Sequence, residues 1–273
     1  MTKIIPEQKI NRCIECNYHY NELNALRPTC TYESRDIPDD QQIPTWCQLK
    51  DSTPEPVKDL MGIKPRLLDL FCGVGGAAMG YYRAGFEVVG VDIVKQPHYP
   101  FEFHQADALT YPLEGFDAYH ASPPCQAFST IAKQNRTMRP GVYNHPNLIP
   151  QTRERLISTG KPYVIENVPG SPLINAITLC GTMFNLNIIR HRLFETNPQI
   201  TFPPYSCNHY KKVVAGGRSP KPNEFHSVVG HHSGVELARQ AMGIDWMIWG
   251  ELVEAIPPTY TKYLGDQIYR GLQ

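Results

Sequence analysis

No stretch of the sequence approaches the run of about 18 to 20 apolar residues that a helix needs to cross a bilayer. The opening MTKIIPEQKINRC also lacks the hydrophobic region of a secretory signal. A soluble, cytoplasmic protein with no membrane partner is expected. Charge of one sign is missing as well: 26 Lys+Arg stand against 26 Asp+Glu, so there is no overall basic footprint and any nucleic-acid surface must be local. No internal repeat is visible, which excludes a solenoid. The G-x-G-x-x-G spacing that serves a dinucleotide pyrophosphate is absent too. What remains is ample for a core, with 41% hydrophobic and 10% aromatic residues, and this excludes disorder over most of the chain.

Cysteine is plentiful, 8 in all. A reducing compartment argues against a disulfide framework and leaves metal binding, catalysis or burial. Cys13, Cys16, Cys30 and Cys47 fall within residues 1–50, a polar segment too thinly hydrophobic to fold on apolar burial. There a structural Zn²⁺ would supply the folding energy. The single CxxC leaves alternatives open: His19 as a substitute ligand, an iron–sulfur cluster, or reduced unpaired thiols. A second grouping, Cys207, His209, His226, His231 and His232, also invites a metal reading. Residues 51–64, with DSTPEPVKD, read as a linker.

From Arg66 the pattern alternates between strand and helix. RLLDLFC is a short apolar run, GVGGAAMGYYRAG a glycine turn leading into a helix, and FEVVGVD a second run, which together make a βαβ unit. DAYHAS and KPYVIEN read as two further buried strands, with a helical LIPQTRERLIST before the latter, so a mostly parallel α/β sheet is expected. Beyond Thr196 the periodicity dissolves into Pro, Gly and His. Helical character returns in GVELARQAMGI and in a final helix that begins near the prolines of EAIPP.

DLFCGVGG places a glycine turn where a backbone can approach a ligand at the carboxyl end of a strand. Asp92 ends the next strand and suits ribose hydroxyls; Asp107 lies one element later, where a carboxylate can accept from an adenine amino group. A nucleoside cofactor without phosphates, S-adenosylmethionine rather than NAD, fits the G-x-G-G spacing of Gly73, Gly75 and Gly76. Cys125, in SPPCQAFS, follows one strand and Glu166, in ENV, ends the next, so a nucleophile and an acid share the carboxyl edge. Arg190 and Arg192 point the same way if RHRLFET is extended.

The order DLFCGVGG, PPCQAFS, ENV, RHRLFE and EAIPP, from about Arg66 to the C-terminus, resembles the DNA cytosine-5 methyltransferase family. The resemblance implies a Rossmann-like AdoMet-dependent methyltransferase sheet over residues 65–196, a short target-recognition region over 197–235, and a C-terminal helix over 236–273 that returns to the catalytic domain. It implies a cofactor site of Asp69, Phe71, Gly73, Gly75, Asp92, Ile93, Asp107, Ala108, Pro124 and Glu254. Its catalytic set would be Cys125, Glu166, Arg190 and Arg192. The implied partner is double-stranded DNA with a cytosine flipped out of the stack. RNA as substrate, and a non-catalytic nucleic-acid binder that keeps the fold, are the competing readings; a cysteine-dependent pyrimidine nucleotide synthase is disfavoured by the cofactor pocket.

Two positions depart from the family pattern. Ile188 stands where a Gln usually supports the catalytic loop, and Val253-Glu254 replaces the usual Gly-Asn beside the methionine end of the cofactor. Between Tyr205 and Ser233, Lys211, Lys212, Arg218 and Lys221 oppose only Glu224, which makes this short region a local basic surface for phosphates and base edges, with Asn208 and His209. Lys133, Arg136 and Arg139, after the nucleophile, are further candidate phosphate contacts.

Overall fold

A computed structural model describes residues 64–128, 145–200, 205–214, 218–229 and 234–273, and in the N-terminal segment the backbone of three two-residue strands. The chain divides into the units Met1–Ile63 and Lys64–Gln273. In the first, β1 (His19–Tyr20), β2 (Thr29–Cys30) and β3 (Arg35–Asp36) pair antiparallel in that order. Cys13, Cys16 and Cys47 lie outside the described residues, as do Lys133, Arg136, Arg139, His231 and His232, and Cys30 is described as backbone alone.

The second unit is built on the expected βαβ start. β4 (Arg66–Leu70) buries Leu67, Leu68, Asp69 and Leu70, the pattern of a strand covered on both faces. A glycine turn then leads into α1 (Gly76–Arg83), which returns the chain to β5 (Glu87–Asp92). After β6 (Glu102–Gln105) the chain crosses back to β7 (Ala118–Ala121), and α2 (Ile149–Ser158) connects to β8 (Tyr163–Asn167). β9 (Ile177–Leu179) and β10 (Arg192–Asn197) complete a seven-stranded sheet of order β6-β5-β4-β7-β8-β10-β9. The five strands from β6 to β8 are parallel; β10 runs antiparallel to both of its neighbours, a reversal that periodicity alone could not reveal.

The strand order reverses between β4 and β7. The chain leaves β4 toward β5 and β6, then returns to the other side of β4 at β7, and the carboxyl ends of such a pair form the crevice in which open α/β sheets hold ligands. On one face Tyr81, Phe86, Tyr260 and Leu264 form a core between the sheet, α1 and α5 (Pro258–Leu272). Gly80 makes this crossing close: a Cβ there would collide with the Thr261 hydroxyl and the Pro258 carbonyl. Thr261 Oγ1 in turn donates to Ala77 O at 2.8 Å. On the other face Leu68, Leu70, Val89 and Val91 pack against Leu156 of α2. Each such side chain, fully buried, contributes about 1.5–3 kcal/mol.

A third cluster joins α3 (Val235–Met242) and α4 (Trp249–Leu252) to Ile188 and Val228. The apolar Ile188 is therefore used for packing, and it bridges to His226, tying the segment after Phe225 to the sheet. Among the described residues of 197–235 that follow β10, the strands are the short parallel pair β11 (Lys212–Val213) and β12 (Glu224–Phe225). α5 begins at Pro258, where the prolines of EAIPP predict it.

Candidate active site

The turn after β4 is strained in a way its sequence accommodates. Phe71 has φ 56°, Gly73 φ 49° and Gly75 φ 83°. A Cβ on Gly73 would meet nothing within 4 Å, so this peptide faces open space, whereas one on Gly76 would sit 2.5 Å from the Ile256 carbonyl oxygen. Asp92 fastens the turn from the end of β5: its carboxylate accepts from Gly73 N–H at 3.0 Å and from Val94 N–H at 2.9 Å. Beside it Ile93 is 69% exposed, an unusual display for a large apolar side chain at the mouth of a crevice. Asp107 is exposed and accepts from Leu109 N–H, and Ala108 is buried next to it. Asp69 lies fully buried beneath the turn; burial first, then the charges of Asp92 and Glu166, hold its carboxyl well above the usual range, with the Ala78 amide opposing.

From β7 the chain runs through Ser122, Pro123 and Pro124 into a single helical turn, Cys125–Ala127. Two prolines fix the approach. Asn167, at the end of β8, fixes the rest: its side-chain amide donates to Pro123 O at 2.8 Å while its oxygen accepts from Val168 N–H at 3.0 Å. This tether brings the half-buried Cys125 and the buried Glu166 to the same crevice. The Cys125 thiol is pushed up by burial and then by the negative charges of Glu166 and, more weakly, Glu254, while the Arg192 guanidinium pulls it down. Pro124 and Glu254 are both exposed at the rim.

Glu166 faces the Arg192 guanidinium, Nε to Oε1 at 3.1 Å. Burial raises its carboxyl above the ordinary range, and Arg192, the Ser122 hydroxyl and Arg190 oppose that shift. Behind Ser122 runs a chain that sequence reasoning did not single out. His120 is fully buried, with Nε2 2.9 Å from Ser122 Oγ and Nδ1 2.9 Å from Tyr81 Oη, and burial pushes it down to about 3, so it is neutral. The only signal for it in the sequence is a polar residue in the middle of a buried strand.

Arg190 is close enough to act electrostatically on Glu166 and is also held by two backbone carbonyls. Its buried guanidinium donates to Val228 O at 3.2 Å and Val253 O at 2.6 Å, so it braces two distant loops. Burial, then Arg192, pulls it down to about 9. Glu224 takes two hydrogen bonds from Arg218, at 2.7 and 2.6 Å, which leaves Lys211 and Lys212 outside that ion pair. The expected grouping of Cys207 and His209 with His226 does not form: His226 is buried against Asn187, and Cys207 and His209 converge instead on Cys180 and His191. A shallow cleft of about 700 Å³ between Thr110 and Lys161 opens at the amino edge of the sheet and contains none of the expected site residues.

A mostly parallel sheet with a glycine turn, a thiol and a carboxylate at its switch point is the architecture of open α/β folds that hold ligands at the carboxyl edge. Comparison with known proteins narrows it. Residues 65–171 match the family model of C-5 cytosine-specific DNA methylases. A curated relative, Type II methyltransferase M1.HphI of Haemophilus parahaemolyticus, is 32% identical over 122 residues, which cover 37% of this chain and 32% of the relative, so the match spans about a third of that protein's length. Among solved structures, a prophage-encoded E. coli protein assigned as a DNA modification methyltransferase superposes with TM-score 0.52 at 15% identity, covering 76% of this chain and 99% of that one. The S. pombe Dnmt2 methyltransferase does so with TM-score 0.51 at 14% identity, covering 77% and 100%. At these identities the two structures establish the shared fold.

Proposed function

We propose that the protein is a DNA (cytosine-5-)-methyltransferase that uses S-adenosylmethionine. The observation that carries the reading is the meeting of Cys125, Glu166 and Arg192 at the sheet's switch point, under a match to the C-5 cytosine family. The match to a Type II methyltransferase favours DNA over RNA and a role beside a restriction activity.

The residues present fit the methyl donor. Open space at Gly73, the carboxylate of Asp92 and the exposed Ile93 form a cradle that would take a nucleoside, and Asp107 with Ala108 and Phe71 would hold its base. Bound there, S-adenosylmethionine would supply an electrophilic methyl group for cytosine C5.

C5 of cytosine is a poor nucleophile, and Cys125 remedies this by adding to C6, which creates enamine character at C5. Burial of Glu166 raises its carboxyl toward the protonated form, which can donate to N3 as the thiolate adds and hold the exocyclic amine. Arg192 keeps Glu166 oriented and offers a positive charge that favours the Cys125 thiolate. Loss of the C5 proton and of the thiol then restores the aromatic ring. C6 is unreachable in a stacked duplex, so the base must be flipped out, at a cost of a few kcal/mol. Lys211 and Lys212 supply part of the phosphate contact. In the N-terminal segment, Cys13, Cys16, Cys30 and Cys47 would hold a structural Zn²⁺.

The test exploits the adduct. With 5-fluorocytosine in mixed-sequence DNA, C5 carries fluorine, which cannot leave as a proton does, so the Cys125–C6 bond persists. A denaturing gel should show a protein–DNA complex that depends on S-adenosylmethionine. No complex with wild-type protein, or an undiminished one with Cys125→Ala, contradicts the mechanism.

A further inference from the structure

We infer that Cys180, His191, Cys207 and His209 form a second, structural Zn²⁺ site that anchors the start of the recognition region to the edge of the catalytic sheet. The inference does not depend on which nucleic acid is methylated.

The cluster is rooted in strand register. In the β9–β10 pair Arg192 lies opposite Leu179. One further step of that antiparallel register sets His191 opposite Cys180. Alternation along the extended chain turns His191 away from the faces of Arg190 and Arg192, so the three neighbours serve different purposes. Cys207 and His209 arrive from the recognition region and close the set.

The donor atoms of all four side chains lie within 4.8 Å of one another. A tetrahedral Zn²⁺ with bonds of about 2.3 Å to sulfur and 2.0–2.1 Å to nitrogen separates S and N ligands by roughly 3.5 Å. Cys207 Sγ is 3.4 Å from His191 Nε2, and Cys180 Sγ is 3.5 Å from His209 Nε2. The Cys207–His209 edge, at 2.7 Å, is tighter and opens as the ion enters. The two imidazoles stand edge to face, ring centroids 5.0 Å apart and 73° between planes, so that nitrogens rather than ring faces converge. Two thiols and two imidazoles with no carboxylate make a set that selects zinc over calcium or magnesium.

The surroundings suit a closed site. Thr182 Oγ1 lies 3.5 Å from Cys180 Sγ and 3.6 Å from Cys207 Sγ, within donating distance of either thiolate, and it accepts Asn208 N–H at 3.2 Å. Four protein ligands leave no open coordination position, so the site stabilises and does not catalyse. The stretch that carries Cys207 and His209 buries little of its own: Tyr205 and Tyr210 are 62% and 70% exposed, and the adjoining β11 pairs with β12 over only two residues.

The test is zinc content per full-length chain, measured by mass spectrometry of the element, together with alkylation of the Cys207 peptide. Wild type should lose about one equivalent in Cys207→Ser and in His209→Ala, while Cys13→Ser/Cys16→Ser keeps the equivalent that these variants lose. That comparison separates the two sites. Both Cys207 and His209 are exposed, so their replacement leaves no cavity. His209→Cys preserves four ligands and should retain the metal, which guards against zinc loss by misfolding. Iodoacetamide should modify Cys207 only after a chelator is added. Equal zinc in wild type and Cys207→Ser, a folded His209→Cys without the metal, prompt alkylation of Cys207, or a Cys180–Cys207 disulfide in the isolated protein would each overturn the inference.

Discussion

At the scale of single residues, the proposed nucleophile is held back rather than pre-activated. Burial, Glu166 and Glu254 all favour the Cys125 thiol over the thiolate, with Arg192 the opposing charge. Alkylation of the Cys125 peptide should therefore rise with pH later than that of a free cysteine. In Glu254→Asn one of the negative charges is gone, so the midpoint should move to lower pH; an unchanged midpoint would mean that Glu254 does not reach the thiol. Asp92 holds the Gly73 turn and, in the proposed function, also offers acceptors to a ribose. Losing a charge-assisted hydrogen bond costs about 1.5–3 kcal/mol, so Asp92→Ala should weaken S-adenosylmethionine binding by about tenfold or more by calorimetry. Unchanged affinity would place the donor elsewhere.

At the scale of elements, the site depends on how β7 and β8 are joined at their carboxyl ends. Asn167 makes that joint through Pro123 O, and Asn167→Ala leaves a buried carbonyl without its donor, a loss of about 1–3 kcal/mol. The expected signature is a lower melting temperature and a lower kcat with donor affinity unchanged, because the proposed donor cradle belongs to β4 and β5. A fall in donor affinity equal to the fall in kcat would contradict this division. The same contrast explains what the sequence made legible. DLFCGVGG, PPCQ and ENV are local signals, each a strand end with its turn, and the fold carries them to one crevice as their spacing predicts. The two-residue repeat of a strand pairs Arg190 with Arg192, but the contacts of Arg190 with Val228 and Val253 depend on loops far away in sequence. The direction of β10 and the meeting of Cys180 with His209 are non-local in the same sense, and no periodicity encodes them.

At the scale of the whole molecule, buried titratable groups make stability depend on pH in two opposed ways. His120 is pushed down to about 3, against about 6.5 in an unfolded chain. Between those values the unfolded state binds a proton that the folded state refuses, so the His120 contribution is lost as pH falls. Asp69 and Glu166, raised by burial, act in the other direction: the folded state keeps protons that the unfolded state releases, and their contribution is lost as pH rises above the ordinary carboxylate range. Replacing His120 by Gln should remove the first dependence alone. The gap in denaturation midpoint between wild type and His120→Gln should narrow on going from about pH 7 to about pH 4; a gap that widens would mean that His120 takes up a proton in the folded state.

All of these properties serve one proposed reaction, and it has one direct readout. Mixed-sequence DNA and RNA are incubated separately with the protein and S-adenosylmethionine carrying a deuterated methyl group, then digested to nucleosides for mass spectrometry. The account predicts deuterated 5-methyl-2′-deoxycytidine from DNA, none from RNA, and none from either with Cys125→Ala. Label in RNA, on an exocyclic nitrogen, or in DNA treated with Cys125→Ala would contradict it.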